Sequence, residues 1–224
     1  MIAASGPCLV IHAYRAQRSL RRILCKIPDE FWAAGGRVVI VQDASPDRTG
    51  RMADTLTSQF PGLSVLHHDE RKGYGASCKE GLTRALSLGC TACAVIPATG
   101  VSSVAPLMEY FAPLLRGELH LAGYPLQRRL AKRNAMFYSA HLLRSIPFWH
   151  LSNGLLFDVE MKILARLAGF SLVTKEIKEL GVKRKGWSMP DQPCQRLYNL
   201  LVVLGKVFLG HYQRLLMRRT IKAE

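Results

Sequence analysis

The chain has 224 residues, 49% hydrophobic and 21% charged, which supplies enough apolar surface for one packed domain and excludes a disordered chain. Its formal charge of +15 is uneven: residues 111–224 carry 19 basic against 7 acidic side chains, a balance that suits an anionic partner such as a phosphorylated metabolite, an acidic membrane or a nucleic acid. No run reaches the roughly 18 apolar residues of a membrane-spanning helix, and Met1-Ile-Ala-Ala-Ser5 has no basic lead of a signal peptide, so a cytoplasmic protein is expected.

In chain order, Cys8-Leu-Val-Ile-His-Ala-Tyr14 is a short apolar strand, followed by a basic helical stretch to about Lys26. Arg37-Val-Val-Ile-Val-Gln42 is a second buried strand. It runs into Asp43-Ala-Ser-Pro-Asp47, where Ser45 can cap a helix and Pro46 suits its first position. Met52, Leu56 and Phe60 recur every four residues on the helix that follows. Leu63-Ser-Val-Leu-His67 is a third strand, and Gly73-Tyr-Gly75 opens a helix with Cys78, Leu82, Ala85 and Leu86 on one face, ended by Gly89. Thr91-Ala-Cys-Ala-Val-Ile96 is a fourth strand, residues 104–115 a helix, and Leu119-His-Leu-Ala-Gly-Tyr124 a fifth strand. Strands apolar on both faces that alternate with helices predict a parallel sheet covered by helices.

Beyond it, Arg128-Arg-Leu-Ala-Lys-Arg133 is a basic link. Ser152-Asn153 can cap a helix with Leu156, Val159, Ile163 and Leu167 on one face, ended by Gly169, and residues 170–173 form a short strand. A basic segment holding Lys183-Arg-Lys185 leads to a last helix over residues 196–219. There Leu197, Leu200, Leu201, Leu204, Phe208 and Leu215 line one side. That helix either packs on the domain or lies on an anionic membrane surface. Nucleic acid is not expected, because interleaved aromatics and a recognised binding module are lacking. The six cysteines sit mostly in apolar runs and are expected to be reduced core residues, Cys90 and Cys93 included.

Two turns could carry chemistry. Asp43 leaves the second strand at the edge where open α/β folds bind ligands; it could bind a nucleobase or ribose, or with Asp47 merely cap a helix. Arg71-Lys-Gly-Tyr-Gly75 sets cations before backbone N–H groups that favour an anion, although a left-handed turn alone would explain its glycines. His67-His68-Asp69-Glu70 is not expected to bind metal, since neighbours on a strand point opposite ways.

The ordered motifs resemble family 2 glycosyltransferases of the GT-A fold. Gln42-Asp-Ala-Ser-Pro-Asp-Arg-Thr49 looks like the "DDGSxDxT" element and Arg71-Lys-Gly-Tyr-Gly-Ala-Ser77 like the "nxGxGaA" turn. Ser152-Asn-Gly-Leu-Leu-Phe-Asp158-Val-Glu160, Thr174-Lys-Glu176-Ile and Lys183-Arg-Lys-Gly-Trp-Ser188 look like elements of the polyprenyl-phosphate mannose or glucose synthase branch. The resemblance implies a GT-A-like (Rossmann-like), mostly parallel sheet in residues 1–190, and residues 191–224 as a basic amphipathic helix. It also implies inverting transfer of a sugar from a nucleotide-sugar donor to a lipid phosphate, by an enzyme peripheral on the inner membrane face. The alternative is a catalytically silent relative that binds a nucleotide sugar or a partner transferase.

By the same resemblance Asp43, Asp47, Lys72, Gly73, Gly75, Arg184, Lys185 and Ser188 would bind the donor. Asp158 would act as base toward a hydroxyl acceptor, although Asp158 and Glu160 also suit a helix N-terminus as structural charges. Where the family places a metal-binding Asp-x-Asp, this chain has Pro97-Ala-Thr99, and His12-Ala-Tyr-Arg15 replaces "PxyN". No cofactor is expected, and a divalent metal would have to bind without the standard carboxylates. Lys72, Arg128, Arg129, Arg184 and Lys185 are the cations available to a leaving diphosphate.

Overall fold

A computed structural model describes residues 5–99, 110–125 and 134–174, together with Gly205, Gly210 and Arg214. Seven strands form one sheet: β1 (Ser5–Ala13), β2 (Arg37–Asp43), β3 (Leu63–His68), β4 (Cys90–Pro97), β5 (Leu121–Pro125), β6 (Asn134–Ser139) and β7 (Leu172–Thr174), in the order β3-β2-β1-β4-β6-β5-β7. The first four are mutually parallel. The apolar runs of β1, β2 and β4 are the reason: with both faces buried, each strand must be covered above and below.

Side chains alternate between two cores. Leu9 and Ile11 of β1, Ile40 of β2 and Ile96 of β4 meet α1 (Leu20–Leu24), α2 (Asp29–Ala33), α3 (Thr49–Thr57) and α5 (Phe111–Leu115). Val10, Val39, Val41 and Val95 face α4 (Tyr74–Ser87), α6 (Ala140–Ser145) and α7 (Phe157–Leu167) on the other side.

The structure departs from the sequence-based expectations in several elements. The sheet is mixed, because β6 runs antiparallel to both β4 and β5, so the fifth strand pairs with β6 and β7 rather than with β4. Ala135, Met136, Phe137 and Tyr138 are all buried in that inserted strand, and a four-residue apolar run after a basic link has no period to announce it. The short α2 was likewise not expected; Pro28 stands before its first residue. The α3 helix starts at Thr49, not after Ser45. In α7 the buried face is Phe157, Glu160, Met161, Leu164 and Ala165, while Val159 and Leu167 of the expected stripe are exposed. Finally, Cys25 is exposed, whereas Cys8, Cys78, Cys90 and Cys93 are buried. Burial pushes the Cys93 thiol up, and a hydrogen bond with Cys90 followed by burial does the same to Cys8, so these thiols are poor nucleophiles.

Candidate active site

The carboxyl edge of the parallel strands is organised around Asp43, the last residue of β2 and 1% exposed. One carboxylate oxygen accepts from His68 Nδ1 at 2.8 Å and from the Lys72 backbone N–H at 2.8 Å. The other accepts from the Gly73 N–H at 3.0 Å and lies 3.8 Å from His12 Nε2. Burial alone would raise the Asp43 pKa, but the two imidazoles and two N–H groups outweigh it and hold the carboxyl well below the ordinary range. Gly73 can point its amide this way because its φ is +96°, a conformation that a side chain would strain. Asp43 thus fastens the β3–α4 turn to the end of β2. Two of the amides expected to face an anion are spent on it, and a third, Ala76 N–H, donates to the Asn153 carbonyl at 3.1 Å.

His68 continues the chain of contacts: its Nε2 is 2.9 Å from Glu80 Oε2, and Glu80 Oε1 accepts from Lys72 Nζ at 3.1 Å. The adjacent His67 points the other way, to Asp54 on α3 at 2.7 Å. Among the described residues no three His, Cys, Asp or Glu side chains are arranged to hold a metal ion.

Asp47 fastens a second pair of loops. Its carboxylate accepts from the Ser45 hydroxyl at 2.6 Å, from the Thr49 N–H at 3.0 Å and from the Thr49 hydroxyl. Ser45 and Thr49 in turn accept the backbone N–H groups of Arg15 and Ala16, both at 2.8 Å. Burial opposes ionisation here too, and the hydroxyl and amide donors outweigh it, so the Asp47 pKa is lowered. Arg71 lies over the Tyr14 ring at 4.3 Å, which ties the β1 and β3 loops together.

The second half of the chain meets this edge at Gly75. A Cβ there would stand 2.2 Å from the Ser152 carbonyl oxygen, so only glycine lets α4 approach the 152–154 backbone. Glu160, fully buried, accepts from the Ser152 N–H at 2.6 Å and hydroxyl at 2.8 Å. Ser152 and Asn153 therefore do not cap α7, as the sequence suggested; they hold its start against α4. Lys79 completes the joint by donating to the Leu151 carbonyl at 2.8 Å. A groove of about 580 Å³ beside this joint is lined by Lys72, Lys79, Thr83, Trp149 and Asn153.

This docking brings Asp158, in the first turn of α7, to the Tyr74 hydroxyl, which donates to both carboxylate oxygens at 3.2 Å. Burial, reinforced by the Asp158 charge, pushes the Tyr74 pKa well up, so the phenol remains a donor. The Tyr74 ring meets His12 edge-on at 5.5 Å, so Asp158, Tyr74, His12 and Asp43 stand in one continuous row. At the end of β4, Ala98 is fixed by its N–H to the His12 carbonyl at 2.8 Å.

Of the residues singled out from sequence, Asp43, Lys72, Gly73, Gly75 and Asp158 come together along this edge, and Asp47 anchors the neighbouring loops. Arg128, Arg129, Arg184, Lys185, Ser188 and the helix expected over residues 196–219, apart from Gly205, Gly210 and Arg214, lie outside the described residues. His68, Tyr74, Lys79, Glu80 and Glu160 were not singled out for these contacts. Only His68 carried a usable signal, as the inward neighbour of an outward His67.

Comparison with known proteins bears on the fold and on the first part of the chain. Residues 8–88 match the model for glycosyl transferase family 2. An undecaprenyl-phosphate mannosyltransferase of Micrococcus luteus is 34% identical over 80 residues, which is 36% of this chain and 32% of that protein. A dolichol-phosphate mannosyltransferase of Pyrococcus furiosus is 27% identical over 77 residues, 34% of this chain and 22% of that protein. The matched segment is therefore less than a third of either relative's length. Among solved structures, glucosyl-3-phosphoglycerate synthase of Mycobacterium tuberculosis with Mn²⁺, UDP and phosphoglyceric acid aligns with a TM-score of 0.59 at 16% identity, covering 88% of this chain and 74% of that one. A mannosyltransferase of Pyrobaculum calidifontis with GDP-Man and Mn²⁺ aligns at 0.56 and 14% identity, covering 80% and 57%. The chain thus has a GT-A-like fold, and its residues 8–88 match the model for glycosyl transferase family 2 and are similar to segments of two polyprenyl-phosphate mannosyltransferases.

Proposed function

We propose that the protein transfers a sugar from a nucleotide-sugar donor to a polyprenyl phosphate. The row from Asp43 through Gly73 and Tyr74 to Asp158 supports this most directly, because it joins the matched segment to the first turn of α7 at one sheet edge. Asp43 shapes the donor pocket by holding Lys72 and Gly73 in place, with Asp47 keeping the adjoining loops together; the buried Asp43 carboxylate acts through that turn. Lys72 and, from the later basic segment, Arg184, Lys185 and Ser188 attend the donor phosphates. In the transfer an acceptor oxygen forms the new bond to the anomeric carbon as the bond to the diphosphate breaks with inversion. The leaving diphosphate takes the electron pair, and the cations stabilise it. An ionised phosphate acceptor needs no base, whereas a hydroxyl acceptor would give its proton to Asp158, held in place by Tyr74.

A carboxylate-bound divalent metal does not fit the described residues at this edge. Pro97, Ala98 and Thr99 offer no carboxylate at the end of β4, and the Asp43 oxygens are engaged by His68, Lys72 and Gly73. Hard cations need such oxygens, so donor binding is expected to survive EDTA. Among the described residues no helix is long and apolar enough to cross a membrane, and contact with lipid is assigned to the basic C-terminal segment.

The test is transfer from labelled UDP- and GDP-sugars to a short-chain polyprenyl phosphate by the full chain, with and without EDTA. Product in both conditions supports the reading. Nucleotide-sugar binding without transfer would replace the enzyme with a silent binder, and loss of binding on chelation would overturn the metal-free site.

A further inference from the structure

We propose that His68 is a positioning residue: as an imidazolium it clamps the Asp43 and Glu80 carboxylates together and so sets the Lys72 ammonium for an anionic ligand. That the anion is a donor diphosphate rests on the function proposed above. Four residues close a ring. His68 Nδ1 lies 2.8 Å from Asp43 Oδ1, and its Nε2 lies 2.9 Å from Glu80 Oε2. Glu80 Oε1 accepts from Lys72 Nζ at 3.1 Å, and the Lys72 backbone N–H returns to Asp43 Oδ1 at 2.8 Å. Lys72 is thus held at its backbone and at its ammonium, by two carboxylates that His68 joins.

Donor counting sets the charge of His68. A neutral imidazole has one N–H, and its other nitrogen is an acceptor. Here both nitrogens face carboxylate oxygens, and the His68 side chain is 0% exposed. A neutral ring would set a lone pair against an oxyanion in a place that solvent does not reach, leaving a buried bond unmade. Neither carboxylate is suited to take up the proton instead. Burial opposes ionisation of both, but the imidazoles and the two N–H groups outweigh it at Asp43, as Lys72 and then His68 do at Glu80. Lys72 and Glu80 are each 43% exposed, and an ion pair so exposed contributes little by itself. The buried end supplies the order: His68 grips one Glu80 oxygen and leaves the other aimed at Lys72. The other titratable groups nearby are His12 on β1, 3.8 Å from Asp43 Oδ2, and His67, which is turned to Asp54 on α3. With His68 protonated, two carboxylates balance two cations; without that proton the ring gains a net negative charge beside the phosphate. Anion binding should therefore weaken as His68 loses its proton.

The test reads His68 itself, by ¹⁵N NMR of the imidazoles in the full chain. Both His68 nitrogens should give protonated signals at neutral pH, and a neutral tautomer there overturns the clamp. Glu80→Gln, a change at a half-exposed position, should return one nitrogen to the unprotonated signal, because an amide can donate to the ring where a carboxylate only accepts. Binding of UDP- and GDP-sugars, whose diphosphate does not titrate in this range, is then followed from about pH 6 to about pH 9. Affinity should fall roughly five- to tenfold, the scale of one charge added several ångströms away near a protein surface, at the pH where the His68 signals change. His68→Gln should bind at the weak level throughout. A fall in affinity at another pH, or one preserved in His68→Gln, assigns the titration to His12 and overturns the role of His68. If His68→Gln does not fold, the wild-type spectra and profile with Glu80→Gln decide. Inorganic pyrophosphate bound several-fold less well by His68→Gln, with no binding of nucleotide sugars, keeps the clamp and removes the sugar-transfer reading. Nucleotide-sugar binding that ignores both pH and the substitution overturns the clamp and leaves that reading standing, and binding of neither anion overturns both.

Discussion

Asp43 and Tyr74 have different functions that substitution can separate. The Asp43 carboxyl titrates lower when folded than its unfolded value of about 3.9. Its contribution to stability is therefore complete above that value and lost as pH falls through the folded one. Asp43→Asn should cost about 2–4 kcal/mol at neutral pH, since the Lys72 and Gly73 amides lose an ionised acceptor. Urea denaturation should show a smaller decline toward acid in the variant than in the wild type; parallel declines would place the titration elsewhere. Nucleotide affinity should fall with it by about 1–3 kcal/mol as the turn loosens. Tyr74→Phe keeps the ring against His12 and removes only the hydroxyl donated to Asp158. It should cost about 1 kcal/mol of stability and slow transfer to a hydroxyl acceptor while sparing transfer to a phosphate. Equal slowing with both acceptors would show that Tyr74 supports the fold and not the Asp158 carboxylate.

Among the elements, what was legible followed from local pattern, and what was hidden depended on docking. The four parallel strands and α4 were readable because β1, β2 and β4 are apolar at every central position and glycines mark the start of α4. Helix α7 was placed correctly but its buried face was not. Leu156, Val159, Ile163 and Leu167 make one apolar stripe, and Phe157, Met161 and Leu164 make another. Burial follows the second, which brings a carboxylate, Glu160, into the interior where the Ser152 amide and hydroxyl receive it. No hydrophobicity rule selects a stripe that contains Glu. The same tertiary dependence hid the Asp43 partners, since His12 comes from β1, His68 from the end of β3 and Gly73 from the turn before α4. The close approach of α4 to the 152–154 backbone is testable alone. Gly75→Ala places a methyl 2.2 Å from the Ser152 oxygen and 2.8 Å from the Asn153 carbonyl carbon, backbone atoms that cannot turn aside. It should destabilise the protein by about 1–3 kcal/mol, read as a lowered thermal midpoint. An unchanged midpoint would mean that the segment docks more loosely than this geometry requires.

For the whole molecule the decisive quantity is charge. The balance of +12 in residues 111–224 remains after every acidic side chain of that half is counted, 19 basic against 7 acidic. A lipid-phosphate acceptor resides in a bilayer, so the sugar-transfer reading requires the domain to reach a membrane surface. The basic C-terminal segment, with Lys206, Arg214, Arg218, Arg219 and Lys222 beside an apolar row from Leu197 to Leu215, has the composition for that contact. Each cation near an anionic surface contributes about 1 kcal/mol, and the attraction decays within a Debye length of about 8 Å at physiological salt. Three or four engaged cations with partial burial of the row would hold the protein reversibly. Co-sedimentation with anionic vesicles should therefore be strong at low salt, fall steeply as salt is raised, and nearly vanish on neutral lipid. Replacing Arg214, Arg218, Arg219 and Lys222 together by Gln in the full chain should remove most of the anionic binding without altering nucleotide affinity. Unchanged pelleting of that variant would assign membrane contact to another surface, and pelleting that ignores salt would assign it to apolar burial instead of charge.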